Sequence, residues 1–402
     1  MIPYGRQEIT AADVDAVVEV LRSDWLTQGP VVPRFEQRVA GYCGASHAVA
    51  TSSATAALHI ACLALGVGPG DVVWTSPVTF VASANCALYC GAQVDFVDID
   101  PRTYNMCADR LAEKLAQAEL NGRLPKVVIP VHLCGQPCDM AAIHALSRRY
   151  GFAIIEDASH AIGGRYMGEP IGNCRYSDIA VFSFHPVKIV TTGEGGLATT
   201  NNEALARRMT MLRSHGITRE PGEMDQPSHG PWYYQQVALG FNYRMTEMQA
   251  ALGLSQFDRL DGYVAERERL AVRYDRLLAG CGLQLPWQLP AGRSARHLYV
   301  VRTGSKDPVE HGRVFSALQR AGIGANLHYI PVHLQPWYAA MGFAAGQFPE
   351  AEHYYAEAIS IPLYPTMGDG RQDQVVAAMR AALAQGGETD GAEAPAVPVT
   401  AA

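Results

Sequence analysis

The chain has 402 residues, 48% of them apolar and 18% charged, and its 32 Lys and Arg against 39 Asp and Glu leave a formal charge of −7. A mildly acidic chain of ordinary composition excludes a protein that wraps nucleic acid, which needs a basic face to neutralise phosphates. Its length buries a core without disulfide or metal staples, and no stretch approaches the roughly 18–20 uncharged apolar residues of a membrane span.

From about residue 45 to 200, short β-rich runs alternate with helical patterns. Strands are expected at 48–51, 72–75, 94–97, 127–131, 153–156 and 179–184, and helices at 54–65, 81–89, 110–119 and 141–150. Near-continuous apolar strands separated by helices indicate an α/β fold with a mostly parallel sheet covered on both faces. From 245 to about 279 the pattern becomes long helices with charged faces. Strands are expected again at 297–302 and 324–329 around a helix at 314–321, and a last helix over 372–384. This is the pattern of a smaller second α/β unit joined by a long helix. Residues 386–402 are rich in Gly, Pro, Ala and Glu without periodicity, which predicts a disordered tail.

Four constellations fall at the ends of these strands. Thr51-Ser-Ser-Ala-Thr-Ala-Ala57 carries a strand into a helix through small hydroxylated residues. Such residues leave the N–H groups of a helix N-terminus open to an anion, although a plain Ser/Thr cap has the same pattern. The run is neither a P-loop nor a dinucleotide fingerprint, so it suits a single monophosphate. Ser76-Pro-Val-Thr-Phe-Val-Ala-Ser-Ala-Asn85 sets Phe80 at another strand-to-helix turn, placed either to stack on a planar ligand or to fill core.

The other two carry the charge. Phe152-Ala-Ile-Ile-Glu-Asp-Ala-Ser-His-Ala161 ends a buried strand on the Asp157 carboxylate, with His160 three residues on. A carboxylate there is what a pyridinium nitrogen requires; an Asp helix cap with a surface His is the plainer alternative. Val181-Phe-Ser-Phe-His-Pro-Val-Lys188, followed by Thr191-Thr-Gly-Glu-Gly-Gly196, delivers Ser183 and Lys188 to the carboxyl edge where α/β sheets bind ligands. Apolar Val187 and Ile189 would desolvate the Lys188 amine and lower its pKa, as Schiff-base chemistry needs; a surface lysine before a Gly-rich turn fits the same string. A phosphate cradle, a ring, an acid and a lysine all fall on one sheet edge.

No metal is expected. Cys86 and Cys90, and Cys134 and Cys138, have three-residue gaps rather than zinc or redox spacing, and His311, His328 and His333 lack a ligand-spaced carboxylate. Nine scattered cysteines and a start without a signal-peptide pattern predict reduced thiols and a cytoplasmic location.

Taken together these residues resemble the pyridoxal 5'-phosphate (PLP) aminotransferases of fold type I, and within them the DegT/StrS family that aminates nucleotide-linked keto-sugars. The similarity runs from about residue 4 to 383. It rests on Leu26-Thr-Gln-Gly29, Ser53-Ala-Thr55, Glu156-Asp-Ala-Ser-His-Ala161, the Ser183 to Gly196 run and Gly240-Phe-Asn-Tyr-Arg-Met245. It implies a large PLP-binding domain over 1–250 and a small C-terminal domain over 251–385. It also implies that Lys188 holds PLP as a Schiff base and later shuttles protons, that Asp157 pairs with the ring nitrogen, and that His160 lies on the ring-hydroxyl side. Phe80 would stack on the ring, and Ala54, Thr55 and Ser183 would hold the phosphate. Asn242 would reach the phosphate of the neighbouring subunit, so the site would belong to a homodimer.

Within the family, the Ser183 to Gly196 run is most similar to the pseudaminic acid branch. That branch moves an amino group from L-glutamate to C4 of a UDP-linked 4-keto-6-deoxy-N-acetyl hexose. Tyr4, Asp24, Trp25, Leu26, Thr27, His328 and Tyr329 would line its sugar-nucleotide pocket, while Ile330 stands where some relatives carry a cation. A PLP sugar 3-dehydratase would carry a histidine in place of Lys188. A nicotinamide oxidoreductase would need a glycine fingerprint after the first strand. A non-catalytic PLP-binding regulator would not need Lys188, Asp157 and the phosphate residues together.

Overall fold

A computed structural model describes residues 1–305 and 307–384; the tail expected at 386–402 lies outside the described residues. The centre is a seven-stranded sheet of β1 (His47–Thr51), β2 (Val72–Thr75), β3 (Gln93–Phe96), β4 (Val127–Ile129), β5 (Ala153–Asp157), β6 (Ile179–Ser183) and β7 (Gly196–Thr200). Their spatial order is β1-β7-β6-β5-β4-β2-β3. Pairing is parallel from β6 through β5, β4 and β2 to β3, and only β7 runs against its two neighbours. The sheet is mostly parallel, as the alternating pattern predicts.

Both faces are buried because successive strand residues point to opposite sides. Val181 joins the core beneath α3 (Ala54–Ala64) and α4 (Ala82–Tyr89), whereas Phe182 packs with α2 (Val31–Cys43). Ile155 and Ile154 divide in the same way, the second facing a cluster built by Ala108–Leu120 and Met140–Tyr150. Consecutive apolar residues, not alternation, are therefore what these strands require.

The structure departs from the sequence expectation in two places. β7 follows the Gly-rich run as a fully buried strand, although its sequence ends in two threonines. Their hydroxyls are satisfied inside the sheet, Thr199 donating to Gly172 O at 2.8 Å and Thr200 to Asp178 O at 2.7 Å, so polar residues are tolerated in a fully buried strand. The strand expected at 324–329 is absent. That segment makes single bridges, Ile323 to Ile2 and Asn326 to Ser360, because Gly324 turns it under the N-terminus, its N–H donating to Ile2 O at 2.7 Å. The partner of Tyr299–Arg302 is instead the antiparallel strand Ala358–Ile361.

The long helix Leu260–Leu278 contributes to two hydrophobic clusters. Leu260, Tyr263 and Val264 pack with the large sheet, and Leu270, Ala271, Tyr274 and Leu278 pack with Tyr299, Val301, Ile359 and the last helix, Gly368–Ala384. We propose that the two units divide within this helix. A boundary at 250 would cut the helix Glu247–Phe257, which packs on the N-terminal helices.

Candidate active site

A cavity of about 630 Å³ opens at the carboxyl edge of the sheet. Its floor is built by the segments that leave β1, β5 and β6. Ser53 caps α3, its Oγ accepting from the Ala56 N–H at 3.1 Å. Behind this turn lies Gly196, where a Cβ would come within 2.4 Å of Ala54 N and of the Ser53 backbone. Only glycine lets β7 approach so closely, and the approach holds the helix N-terminus against the cavity.

Asp157, at the end of β5, is 5% exposed. Its Oδ2 accepts from the Ser83 hydroxyl at 2.6 Å and its Oδ1 from the Ser159 N–H at 3.1 Å. Ser83 is in turn 2.7 Å from the Thr79 hydroxyl, one turn earlier. Lys188 lies on the loop after β6, its backbone N–H donating to His185 O at 2.9 Å. Burial brings its amine down to about 8, while the Asp157 carboxylate opposes the shift. A lysine so placed is nucleophilic near neutrality.

Besides His185, three histidines face the same space. Burial, then the Lys188 charge, holds His328 down at about 3. His160 and His297 are pushed well below the ordinary value, chiefly by burial, with Lys188 among the further causes. All three are neutral imidazoles at physiological pH. His328 Nδ1 is 2.8 Å from the Ser360 hydroxyl, and the His328–Tyr329 peptide is cis.

The structure brings Lys188, Asp157, His160, Ala54, Thr55, Phe80, Ser183, Tyr4, His328 and Tyr329 to one cavity. It does not bring Asp24, Trp25, Leu26, Thr27 or Asn242 there; all five are exposed on the surface of this chain. The 24–27 loop is tied elsewhere: Thr27 bridges Thr246, and Leu26 O accepts from Glu247 N at 3.0 Å. Gly29 seals that contact, since a Cβ would meet Trp25 Cβ at 2.6 Å. Asn242 bridges Ser214 on the turn that packs against its own cradle, where Ser52 N–H donates to Tyr243 O at 2.7 Å. Sequence reading missed Ser83, Thr79, His297 and Asn326. The hydroxyl spacing of Thr79 and Ser83 is a usable signal, whereas the other two come from distant segments.

A buried amine, an oriented carboxylate and a helix N-terminus on one cavity fit a phosphorylated pyridine aldehyde. The family model for DegT/DnrJ/EryC1/StrS aminotransferases matches residues 7–380. The chain belongs to that family. It is 38% identical over 368 residues to the GDP-perosamine synthase of Caulobacter vibrioides, covering 91% of this chain and 94% of that protein. Among solved structures it is similar to Spr1654 of Streptococcus pneumoniae, described as a sugar aminotransferase, in its PMP-form. There the TM-score is 0.88 and the identity 31%, over 96% of this chain and 100% of that one; a PLP-form of the same protein also matches. It is similar too to Helicobacter pylori PseC, an aminotransferase of pseudaminic acid biosynthesis, with TM-score 0.88 and 27% identity over 96% of this chain and 99% of that one. This member of the DegT/DnrJ/EryC1/StrS family is a sugar aminotransferase with the type I fold, and its cofactor is PLP. No helix among the described residues is long and apolar enough to cross a membrane.

Proposed function

We propose that this aminotransferase moves the amino group of L-glutamate to the C4 ketone of a UDP-linked 4-keto-6-deoxy-N-acetyl hexose, in the making of pseudaminic acid or a related cell-surface sugar. The observation that carries the chemistry is the lowered Lys188 amine beside the serine-held Asp157 carboxylate. The likeness to PseC supports the sugar. A second reading, a GDP-linked 4-keto sugar, is favoured by the identity to GDP-perosamine synthase.

When bound, PLP supplies an electron sink for the pair left behind as the α-proton departs. Lys188 would hold the cofactor through its amine and, once free, would carry that proton at Nζ. Asp157 would keep the ring nitrogen protonated, with Ser83 and the Ser159 N–H fixing the carboxylate. Ala54, Thr55 and Ser183 would hold the phosphate at the α3 N-terminus, Phe80 would stack on the ring, and His160 would serve the ring-hydroxyl side. Tyr4, His328 and Tyr329 receive the sugar nucleotide.

The 24–27 loop and Asn242 serve the neighbouring site of a homodimer. Their exposure on this chain supports that reading, with Trp25 55% exposed and Leu239, three residues before Asn242, 80%. In the deciding experiment, protein loaded with PLP is mixed with glutamate, and its near-visible band should collapse to that of the amine form. UDP- and GDP-linked 4-keto sugars are then compared as acceptors. A band indifferent to glutamate, or equal inactivity with every keto sugar, overturns the proposal.

A further inference from the structure

One hydroxyl on the cavity wall, that of Tyr329, has a hydrogen-bonding role left to fill. His160 Nδ1 accepts from the Cys134 backbone N–H at 3.3 Å. A backbone N–H only donates, so Nδ1 carries no proton and the neutral ring carries it on Nε2. That nitrogen lies 3.2 Å from Tyr329 Oη, so the imidazole donates and the tyrosine oxygen accepts. The Tyr329 proton is then directed away from His160, and among the described residues it meets no acceptor of its own. A half-buried phenol on a cavity wall whose proton is unclaimed is a donor waiting for a ligand oxygen.

Position says which ligand. Asp157, Ser53 and Lys188 hang from the large sheet. Tyr329 belongs to the segment that Gly324 ties to the N-terminus, and Tyr4 and His328 stand beside it with ring centres 5.1 Å apart. Its own ring lies 6.1 Å from Phe80, which is 54% exposed. The phenol is thus carried by the segment that also presents His328, and not by the Ser53 turn of the phosphate cradle.

We propose that the Tyr329 hydroxyl, held in one orientation by His160, is the donor that binds the ketone oxygen of the acceptor sugar. The inference rests on the keto-sugar reading above and adds to it a residue that recognises the ketone. A neutral donor suits this task, because it polarises the carbonyl without adding charge beside Lys188. Burial raises the phenol well above its ordinary value, so it stays protonated throughout the working range.

The test compares Tyr329→Phe with the unaltered enzyme by calorimetry and by single half-reactions. The variant should bind the 4-keto sugar nucleotide ~10-fold more weakly and the bare nucleoside diphosphate with the same affinity, the loss of one hydrogen bond. The acceptor half-reaction should slow by ~100-fold, the scale of a lost carbonyl donor, and the glutamate half-reaction far less. His160→Ala, which leaves the phenol unoriented, should reproduce part of the binding loss, and His160→Gln, which keeps an N–H donor, should restore it. Equal keto-sugar affinity in Tyr329→Phe overturns the inference and leaves the functional reading standing. Equal slowing of both half-reactions also overturns it, because the phenol then serves the cofactor. Failure of the unaltered enzyme to bind any keto-sugar nucleotide overturns both.

Discussion

Stripping the cofactor frees the Lys188 amine, and the pH at which it captures an aldehyde then reports its surroundings. Burial brings this amine to about 8 from an ordinary 10.5, with the Asp157 carboxylate as the opposing influence. The neutral form is the nucleophile, so capture speeds up as pH rises through the pKa. At pH 7 about a tenth of the amines are neutral when the pKa is about 8, against about 3 in 10,000 for an ordinary lysine, an advantage of a few hundredfold. Stopped-flow mixing of apo-protein with PLP between pH 6 and 10 should show a capture rate rising with a midpoint near 8. Asp157→Asn removes the anion that supports the charged form, so its midpoint should fall lower still. A midpoint near 10, or an upward move in the Asn variant, would refute the burial argument.

Ser83→Ala removes the hydroxyl that donates to Asp157 Oδ2, a bond to a charged group worth about 1.5–3 kcal/mol; turnover should fall at least ~10-fold in a coupled glutamate assay while PLP remains bound. Gly196→Ala pushes a Cβ to 2.4 Å from the α3 turn, so PLP affinity measured by equilibrium dialysis should fall ~10-fold or more, with the thermal midpoint lowered as well. His328, held at about 3 in the fold and near 6.5 in the unfolded chain, lets the unfolded state bind a proton that the native state refuses. It therefore costs stability as pH falls from about 6.5 toward 3, at up to ~1.4 kcal/mol per pH unit. Thermal unfolding of His328→Gln against the unaltered protein should show a shallower acid loss in the variant.

How much of this was readable beforehand follows from where each residue gets its position. Ser53, Asp157 and Lys188 stand at the ends of short apolar strands, and the rule that α/β sheets bind ligands at that edge brings them together without coordinates. The four-residue spacing of Thr79 and Ser83 marks a pair of hydroxyls at helical spacing, and the fold adds where the pair leads: Thr79 to Ser83, and Ser83 to the Asp157 carboxylate. His297 and Asn326 reach the cavity from segments more than a hundred residues beyond Lys188, so no local pattern marks them. β7 carries no strand expectation because the carbonyls that satisfy its threonines, on Gly172 and Asp178, are more than twenty residues away. The 24–27 segment carries a recognisable motif, yet the motif's glycine serves a contact with Trp25 and Glu247 rather than the cavity.

The helix Leu260–Leu278 gives residues to two separate cores, and this ties the fates of the two proposed units together. Fraying its first turns strips Leu260 and Val264 from one core, and fraying its last turns strips Tyr274 and Leu278 from the other. Neither unit can melt without presenting the other with a ragged, half-solvated helix end. The protein should therefore show one heat-absorption peak rather than two, its calorimetric enthalpy matching that of a single all-or-none transition. The same shared rod means that any swing of the small unit over the cavity mouth has to be taken up by bending that helix or by moving its loops, rather than by a loose linker.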